Sequence, residues 1–106
     1  FDDLVMVGTD AHNYLMVLDK ENHEFLTRMT FASASELLLK DKRFLLIRRG
    51  VIVNMAYIQS FDDRLLNLAV GSPVPISPRN RRMLEQIWDN YLVDRMRSDI
   101  LRGGRS

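Results

Sequence analysis

The sequence predicts a mainly β domain of many short strands, with one short internal helix and a C-terminal helix. Short apolar runs, separated by polar, glycine- or proline-containing turns, fill the first three quarters of the chain. Apolar residues at helical spacing follow only after the pair Ser77-Pro78. A chain of 106 residues that is 46% hydrophobic and 27% charged can build one such domain around a modest core.

The first half of the chain is expected to form three strands, a short helix and two further strands. The helix is expected to be capped by Ser33 or Ser35 and to run through Leu39. The charged residues 48–50 interrupt an apolar stretch and predict a turn or bulge between two strands. The predicted strands are residues 4–7, 14–18, 24–27, 44–47 and 51–53.

In the second half, three further strands are expected to precede the last helix. Prolines in the third of these strands predict a position at the edge of a sheet, because proline cannot donate a ladder hydrogen bond. The predicted strands are residues 57–61, 65–70 and 74–76.

The C-terminal helix is predicted to begin at Ser77, an N-cap residue followed by proline at the first helical position. The apolar residues that follow at helical spacing most simply pack on the sheet, although a partner-binding groove would show the same pattern. They are Leu84, Ile87, Trp88, Tyr91 and Leu92. Because the pattern weakens after Met96, one domain is assigned to residues 1–96, and residues 97–106 are expected to be the helix end and a flexible tail.

Several classes of protein are disfavoured by what the sequence lacks. Without cysteine, the chain cannot form a disulfide framework or a thiolate metal site, and this composition is compatible with the cytoplasm. No apolar run approaches the ~18 residues of a membrane helix. The glycine-rich and nucleophile motifs of common enzymes are absent as well, so neither catalysis nor a cofactor is expected.

An acid–base or metal site is the least favoured alternative. Asp10 and His12 are close in sequence, and His23 is the only other histidine. No third ligand stands out beside the first pair, and an ordinary polar turn contains the same residue types.

Charge is distributed unevenly along the chain, although the formal net charge is only +1. Residues 1–39 carry two basic and seven acidic side chains, whereas residues 40–106 carry thirteen basic and seven acidic side chains. Such a division is typical of a protein with one anion-binding surface, but it also fits a dipolar protein whose charges are solvated.

Basic side chains cluster at three predicted loops, which favours contact with a phosphate backbone. Arg79 also lies at a predicted helix N-terminus, where free N–H groups attract an anion, and its guanidinium could instead bind a guanine edge. The alternatives are a charged bulge that protects a sheet edge and the solvated face of a helix. The clustered residues are Lys40, Lys42, Arg43, Arg48, Arg49, Arg79, Arg81 and Arg82.

Residues 44–54, Phe-Leu-Leu-Ile-Arg-Arg-Gly-Val-Ile-Val-Asn, followed by Tyr57 and Ile58, resemble the hallmark of the LytTR family. That hallmark is an aromatic-led strand, a basic turn and a strand ending in Val-Asn, with an isoleucine shortly after. Residues 76–80, Ile-Ser-Pro-Arg-Asn, resemble the family's apolar-serine step and the basic segment that follows it. Residues 3–14 look like its first strand and first loop.

The resemblance implies the DNA-binding effector domain of a bacterial transcription regulator, whose loops contact successive major grooves. The family fold that it implies is an elongated stack of small, mostly antiparallel β-sheets with a short helix. The implied partners are double-stranded DNA with repeated sites and an upstream receiver or sensor domain of a two-component system. A homodimer is also compatible with the resemblance, and the implied location is the cytoplasm.

By position, the resemblance assigns DNA contacts to the same loops. Arg49 and Arg79 are expected to reach bases or nearby phosphates, whereas Lys42, Arg43 and Arg48 are better suited to contacts with the backbone. The full set of predicted contact residues is His12, Asn13, Tyr14, Lys42, Arg43, Arg48, Arg49, Arg79, Arg81 and Arg82.

The chain departs from the family pattern at four positions. Leu46 stands where many members carry arginine, Arg48 replaces the usual histidine, Gly50 the usual serine, and Pro78 a common basic residue. These departures, with a last helix that runs beyond the usual family end, motivate a second hypothesis. It is a divergent LytTR-like protein-interaction or dimerisation module with weak or no sequence-specific DNA binding. Asn54 is expected to be structural and to tie the strand end to its neighbour.

Overall fold

The strands of the domain form two antiparallel sheets, and two helices pack beside them. The computed structural model describes residues 2–10 and 13–103. In chain order the described elements are β1 (Leu4–Thr9), β2 (Tyr14–Asp19), β3 (Glu24–Arg28), α1 (Phe31–Leu38), β4 (Phe44–Arg48), β5 (Val51–Asn54), a 3-10 helix (Met55–Tyr57), β6 (Ile58–Phe61), β7 (Leu65–Leu68), β8 (Val74–Pro75) and α2 (Pro78–Gly103). The domain is elongated, at 49 × 28 × 24 Å, and the predicted mainly β class is confirmed.

The larger sheet has the strand order β3-β2-β1-β5-β4, and every pair in it is antiparallel. Its two ends can therefore be assigned from the strand directions. We call them the loop end and the acidic end. The loop end comprises residues 9–10, 13–14, 28–30 and 48–50, and the acidic end comprises residues 2–3, 19–24 and 41–43.

The smaller sheet has the order β6-β7-β8, so β8 with Pro75 lies at its edge as the prolines predict. All three strands of this sheet are shorter than predicted, and β8 ends at Pro75 rather than at Ile76. Tyr57 belongs to the 3-10 helix rather than to β6, and β7 ends at Leu68 rather than at Val70. Asn54 begins that 3-10 helix, because its side chain accepts a hydrogen bond from the N–H of Ala56.

Thr30 caps α1, so the predicted cap at Ser33 or Ser35 was wrong. The hydroxyl oxygen of Thr30 accepts a hydrogen bond from the N–H of Ser33 at 3.2 Å, the usual reach of an N-cap side chain. The helix begins at Phe31 and already includes both serines. Serine and threonine are both N-cap residues, so the sequence offers several candidates within six positions and the fold selects Thr30.

The core lies on both faces of the larger sheet. On one face, α1 covers a cluster of buried residues that includes Val7, Leu15, Val17, Ala34, Leu38, Phe44 and Ile52. On the other face, the smaller sheet and the first half of α2 cover a larger cluster that includes Val5, Leu18, Leu45, Ile47, Val53, Leu66, Ile76 and Leu84.

The first half of α2 begins and packs as predicted. The Ser77 hydroxyl oxygen accepts a hydrogen bond from the N–H of Arg79 at 3.3 Å, which caps the helix. The predicted packing stripe contacts the core at Leu84, Ile87, Trp88 and Tyr91.

The second half of α2 differs from the prediction. Leu92 is 39% exposed and does not belong to the packing stripe. The helix continues to Gly103, and residues 104–106 lie outside the described part of the chain. Every residue from 92 to 102 is exposed. Among the described helices, none has the length and apolar character that crossing a bilayer requires.

Asn54 joins the two hairpins of the larger sheet at its acidic end. Its side chain is completely buried. The amide nitrogen donates a hydrogen bond to the carbonyl oxygen of Leu4 at 2.9 Å, and the amide oxygen accepts one from the N–H of Ala56 at 2.9 Å. The predicted structural role of Asn54 is confirmed, because one buried side chain satisfies two backbone groups.

We therefore expect Asn54→Asp to lower the free energy of unfolding by about 2–4 kcal/mol at pH 7, because it removes a donor and buries a charge. Urea denaturation followed by circular dichroism measures the effect. Asn90→Asp, at an exposed position on α2, is the matched control and should change stability by less than ~0.5 kcal/mol. Similar losses in both variants would contradict the structural role of Asn54.

Candidate nucleic-acid interface

The first two predicted recognition loops lie side by side at the loop end. The N–H of Thr9 donates a hydrogen bond to the carbonyl oxygen of Gly50 at 2.9 Å. The N–H of Asp10 donates to the carbonyl oxygen of Tyr14 at 3.2 Å and closes the β1–β2 loop. Residues that are far apart in the sequence are thereby brought onto one surface.

The first loop presents polar and aromatic groups to solvent. Asn13 is exposed and adopts a φ of 66°, a conformation that asparagine tolerates better than most residues. Tyr14 is 41% exposed at the start of β2. His12, the third predicted contact residue of this loop, lies outside the described residues.

Gly50 shapes the second loop. Its φ is +82°, and a Cβ there would lie 3.0 Å from the hydroxyl oxygen of Thr9. The glycine at the family's serine position is therefore required by this backbone. Arg48 and Arg49, which precede it, are both exposed, and neither has an ion-pair partner among the described residues.

Arg28 is an additional basic residue at the loop end, and the sequence reasoning missed it. Antiparallel pairing of β2 with β3 places Arg28 directly opposite Tyr14. Its side chain is exposed, with no ion-pair partner in the described part of the chain. The sequence could have revealed Arg28. In the predicted hairpin of residues 14–18 and 24–27, extending the strand pairing by one residue places Arg28 opposite Tyr14.

The two ends of the larger sheet differ in charge. At the loop end, Arg28, Arg48 and Arg49 stand against Asp10 among the described residues. At the acidic end, the described charged residues are Asp2, Asp3, Asp19, Glu21, Glu24 and Asp41 with Lys20, Lys42 and Arg43. The charge asymmetry along the sequence thus becomes a polarity across the sheet, with its positive pole at the loop end.

Lys42 and Arg43 lie at the acidic end, across the length of β4 from Arg48. The Arg43 guanidinium binds both carboxylate oxygens of Asp41, at 2.7 Å for the shorter contact, and also the carboxylate of Asp2. Hydrogen bonds from Arg43 lower the pKa of both carboxyl groups and raise the pKa of the guanidinium. Arg43 therefore joins the start of β1 to the segment before β4.

The third predicted cluster lies at the N-terminus of α2. Arg79 and Arg82 are exposed, and no described residue forms an ion pair with them. Arg81 is less available, because it pairs with Glu85 at 2.6 Å and lies 3.8 Å from Asp63. Arg79 is about 18 Å along the helix axis from Tyr91, which lines a groove together with Asp2. The third cluster is thus remote from the acidic end.

The fold separates two of the three residues named for the alternative acid–base or metal site, and the third, His12, lies outside the described residues. Asp10 lies at the loop end and His23 at the acidic end, so they do not form one site. Within the described ranges, Asp19, Glu21 and His23 bring their potential ligand atoms within 4.8 Å of one another. Asp19 accepts hydrogen bonds from the N–H groups of Glu21 and His23, both at 2.9 Å, and these bonds stabilise the β2–β3 turn. The bond from the His23 N–H is the main reason that the pKa of Asp19 is lowered.

Comparison with known proteins identifies the family. The sequence model of the LytTr DNA-binding domain matches residues 1–89, so the chain belongs to the LytTR family. The chain is also similar in structure to the LytTr DNA-binding domain of a Bacillus cereus protein described as a methyl-accepting/DNA response regulator. The TM-score is 0.61 at 19% identity, and the match covers 81% of each chain. A comparison with curated proteins found no match.

The resemblance seen in the sequence is confirmed by the family match, and the structural similarity confirms the fold. The family consists of DNA-binding domains, which is consistent with the absence of common enzyme motifs from this sequence. The individual DNA contacts stay predictions. The structure brings Asn13, Tyr14, Arg48 and Arg49 together, places Arg79 and Arg82 in a second exposed group, and separates Lys42 and Arg43 from both.

The ion pairs of Arg43 predict a specific acid response. Because the pKa values of Asp2 and Asp41 are lowered in the folded state, they stabilise it above pH ~4, and this contribution is lost as the pH falls through the lowered values. We expect Arg43→Gln to reduce stability at pH 7 and to flatten the fall in stability between about pH 5 and pH 2. Urea denaturation at several pH values measures both effects. Lys42→Gln should retain the wild-type pH profile, and an unchanged profile in Arg43→Gln would contradict the assignment.

Proposed function

We propose that this domain binds specific double-stranded DNA through its loops, as the effector domain of a bacterial transcription regulator. The observation that carries the proposal is the polarity of the larger sheet. Among the described residues, exposed arginines without carboxylate partners gather at the loop end, while most acidic side chains at the ends of this sheet lie at the other end. Such a field orients a domain on a polyanion before specific contacts form.

The width of the sheet indicates that different arginines contact different parts of the DNA. Arg28 and Arg48 lie on the two edge strands, four strand spacings or roughly 19 Å apart. A major groove is only about 12 Å wide. If the turn at Arg49 enters a major groove and contacts a base edge, Arg28 is positioned to contact the phosphate backbone that flanks this groove. Tyr14, on β2 beside Arg28, and Arg48, on the edge strand β4, then contact the same site from different strands.

Arg79 and Arg82 form the second contact region in this proposal. Their exposed guanidinium groups and their separation from the acidic end suit a phosphate or a base edge in the next major groove. Arg81 contributes less, since Glu85 and Asp63 already neutralise it. Lys42 and Arg43 are not included in the interface, because they lie at the acidic end.

The same reasoning extends the proposal to the complete regulator. The similar Bacillus cereus domain is described as part of a DNA response regulator, which supports an upstream receiver or sensor domain in this protein. Repeated binding sites and a cytoplasmic location follow from such a role.

The test of DNA reading uses a duplex of about 40 base pairs that the wild-type domain selects from a random pool, with a shuffled duplex as reference. We expect Arg49→Ala and Arg79→Ala each to weaken binding to the selected duplex by about 1–3 kcal/mol, or roughly 5- to 150-fold. Fluorescence anisotropy titration measures the affinities. Lys42→Ala removes the same charge at the acidic end and should change them less than twofold. Equal losses in all three variants would contradict the proposed interface.

A contact with phosphate contributes to binding of any DNA sequence, whereas a contact with a base contributes only to binding of a particular sequence. The variant Arg28→Ala tests which kind of contact Arg28 makes. We expect Arg28→Ala to weaken binding to the selected and shuffled duplexes by a similar factor, and to reduce the slope of log affinity against log salt by about one. Lys40→Ala, an exposed charge outside the loop end, is the control. Loss of affinity for the selected duplex alone would show that Arg28 reads sequence instead.

A further inference from the structure

We propose that the free edge of β3 is a self-association surface, which pairs antiparallel with β3 of a second copy of the chain. β3 is an edge strand of the larger sheet, and among the described strands it pairs only with β2. Its outer row of backbone N–H and C=O groups is therefore open to another strand. This surface does not depend on the DNA contacts proposed for Arg49 and Arg79.

The other edge strands of the two sheets carry features that oppose such pairing, whereas β3 does not. In β4 an extra residue between Leu46 and Arg48 makes a bulge. In β6 an extra residue between Ile58 and Ser60 makes another. β8 has only two residues and includes Pro75. Bulges, short length and proline all hinder the addition of a further strand, but β3 has five residues, no proline and an uninterrupted register with β2.

The apolar side chains of β3 also lack cover. Phe25 and Leu26 are 51% and 58% exposed, and as consecutive strand residues they lie on opposite faces of the sheet. A further strand would cover part of both side chains, because the side chains of neighbouring strands lie side by side on each face. The exposed apolar area and the open backbone groups thus favour the same kind of partner, an extended strand.

The sequence of β3 favours a second copy as that strand. In a two-fold antiparallel pair centred on Leu26, Glu24 lies directly opposite Arg28 of the partner subunit, and Arg28 lies opposite the partner's Glu24. Within one copy, no described residue forms an ion pair with either side chain. Pairing of two copies therefore gives each of these charges a partner of opposite sign.

The charges also select one register. A two-fold axis that continues the sheet must pass through a residue of β3, because directly opposite side chains lie on the same face. The axis at Leu26 pairs all five residues of the strand, whereas every other axis pairs fewer and leaves the charges unmatched. It also places Phe25 opposite the partner's Thr27, and such pairs of an aromatic and a β-branched residue stabilise sheets.

The interface is small, so we expect a weak dimer. A pair of five-residue strands forms roughly four to six main-chain hydrogen bonds. It buries well below the roughly 1,600 Å² of a standard interface. We expect a dissociation constant of about 10–100 µM, since association costs translational and rotational freedom. Association stops at the dimer, because both copies use the same edge and leave no free β3.

Sedimentation equilibrium of the 106-residue chain tests the proposal. We expect a reversible monomer–dimer equilibrium that Leu26→Lys weakens by about tenfold or more, because two ammonium groups then meet at the axis. Leu46→Lys is the matched control, since Leu46 is a 43% exposed leucine on the other edge strand of the same sheet. This control should dimerise like the wild type, and circular dichroism should show that both variants are folded.

Three results of this experiment would overturn the β3 interface. The first is a wild-type chain that stays monomeric at about 0.5 mM, well above the expected dissociation constant. The second is equal weakening in the two lysine variants. The third is growth of the wild type into larger oligomers, since a two-fold pair of edges is closed.

Charge exchange tests the register. Glu24→Arg and Arg28→Glu should each weaken their own dimer by about fivefold or more, because like charges then face each other at both ends of the pair. An equimolar mixture of the two variants should form a heterodimer about as tight as the wild-type dimer, because opposite charges face each other again. Within one copy the two positions are roughly 13 Å apart along the strand, so this rescue requires contact between copies. A mixture that associates no better than the separate variants would overturn the register.

Dimerisation and DNA binding compete for Arg28 if the proposed function is correct. In the dimer the two loop ends point in opposite directions, and each Arg28 faces a carboxylate instead of the phosphate assigned to it. An excess of the selected duplex should therefore release DNA-bound monomers, which sedimentation velocity resolves. A dimer that persists on saturating duplex would support the β3 interface and contradict the phosphate contact of Arg28. A chain that is monomeric without DNA overturns the β3 interface alone, so the two failures are distinguishable.

Discussion

The antiparallel pairing of β1 with β5 is the contact on which the rest of this structure depends. It joins the β1–β2 hairpin to the β4–β5 hairpin, whose turns are about 40 residues apart in the chain, and makes one sheet of them. Because both hairpins turn at the same end, the pairing also brings two basic and polar loops together. Buried Asn54 holds the opposite end of the same seam through its bond to Leu4.

The larger sheet also places two arginines of the same strand in different environments. Arg43 and Arg48 are close in sequence, yet they lie at the two ends of β4 and have different surroundings. Carboxylates bind Arg43 tightly, so it stabilises the fold, whereas the described residues leave Arg48 unpaired and open to solvent. A strand is long enough to separate these roles, because a few residues at roughly 3.3 Å each exceed the reach of one ion pair.

The second half of α2 lies apart from the loop end. Residues of the second half of α2 line a groove with Asp2 and Arg43 at the acidic end, away from the loop end. The loops proposed to contact DNA are therefore on a different part of the domain.

Local patterns in the sequence determined the strands, the edge position of β8, the start of α2 at Ser77 and the family. These features depend on neighbours a few residues away, which hydrophobic periodicity and capping chemistry report directly. Only the tertiary structure decided that Arg28 joins the loop end, that Arg43 and Arg81 are neutralised, and that α2 is covered only as far as Tyr91. Those outcomes depend on which strands pair and which face of a helix is covered, and residues distant in the chain make both choices.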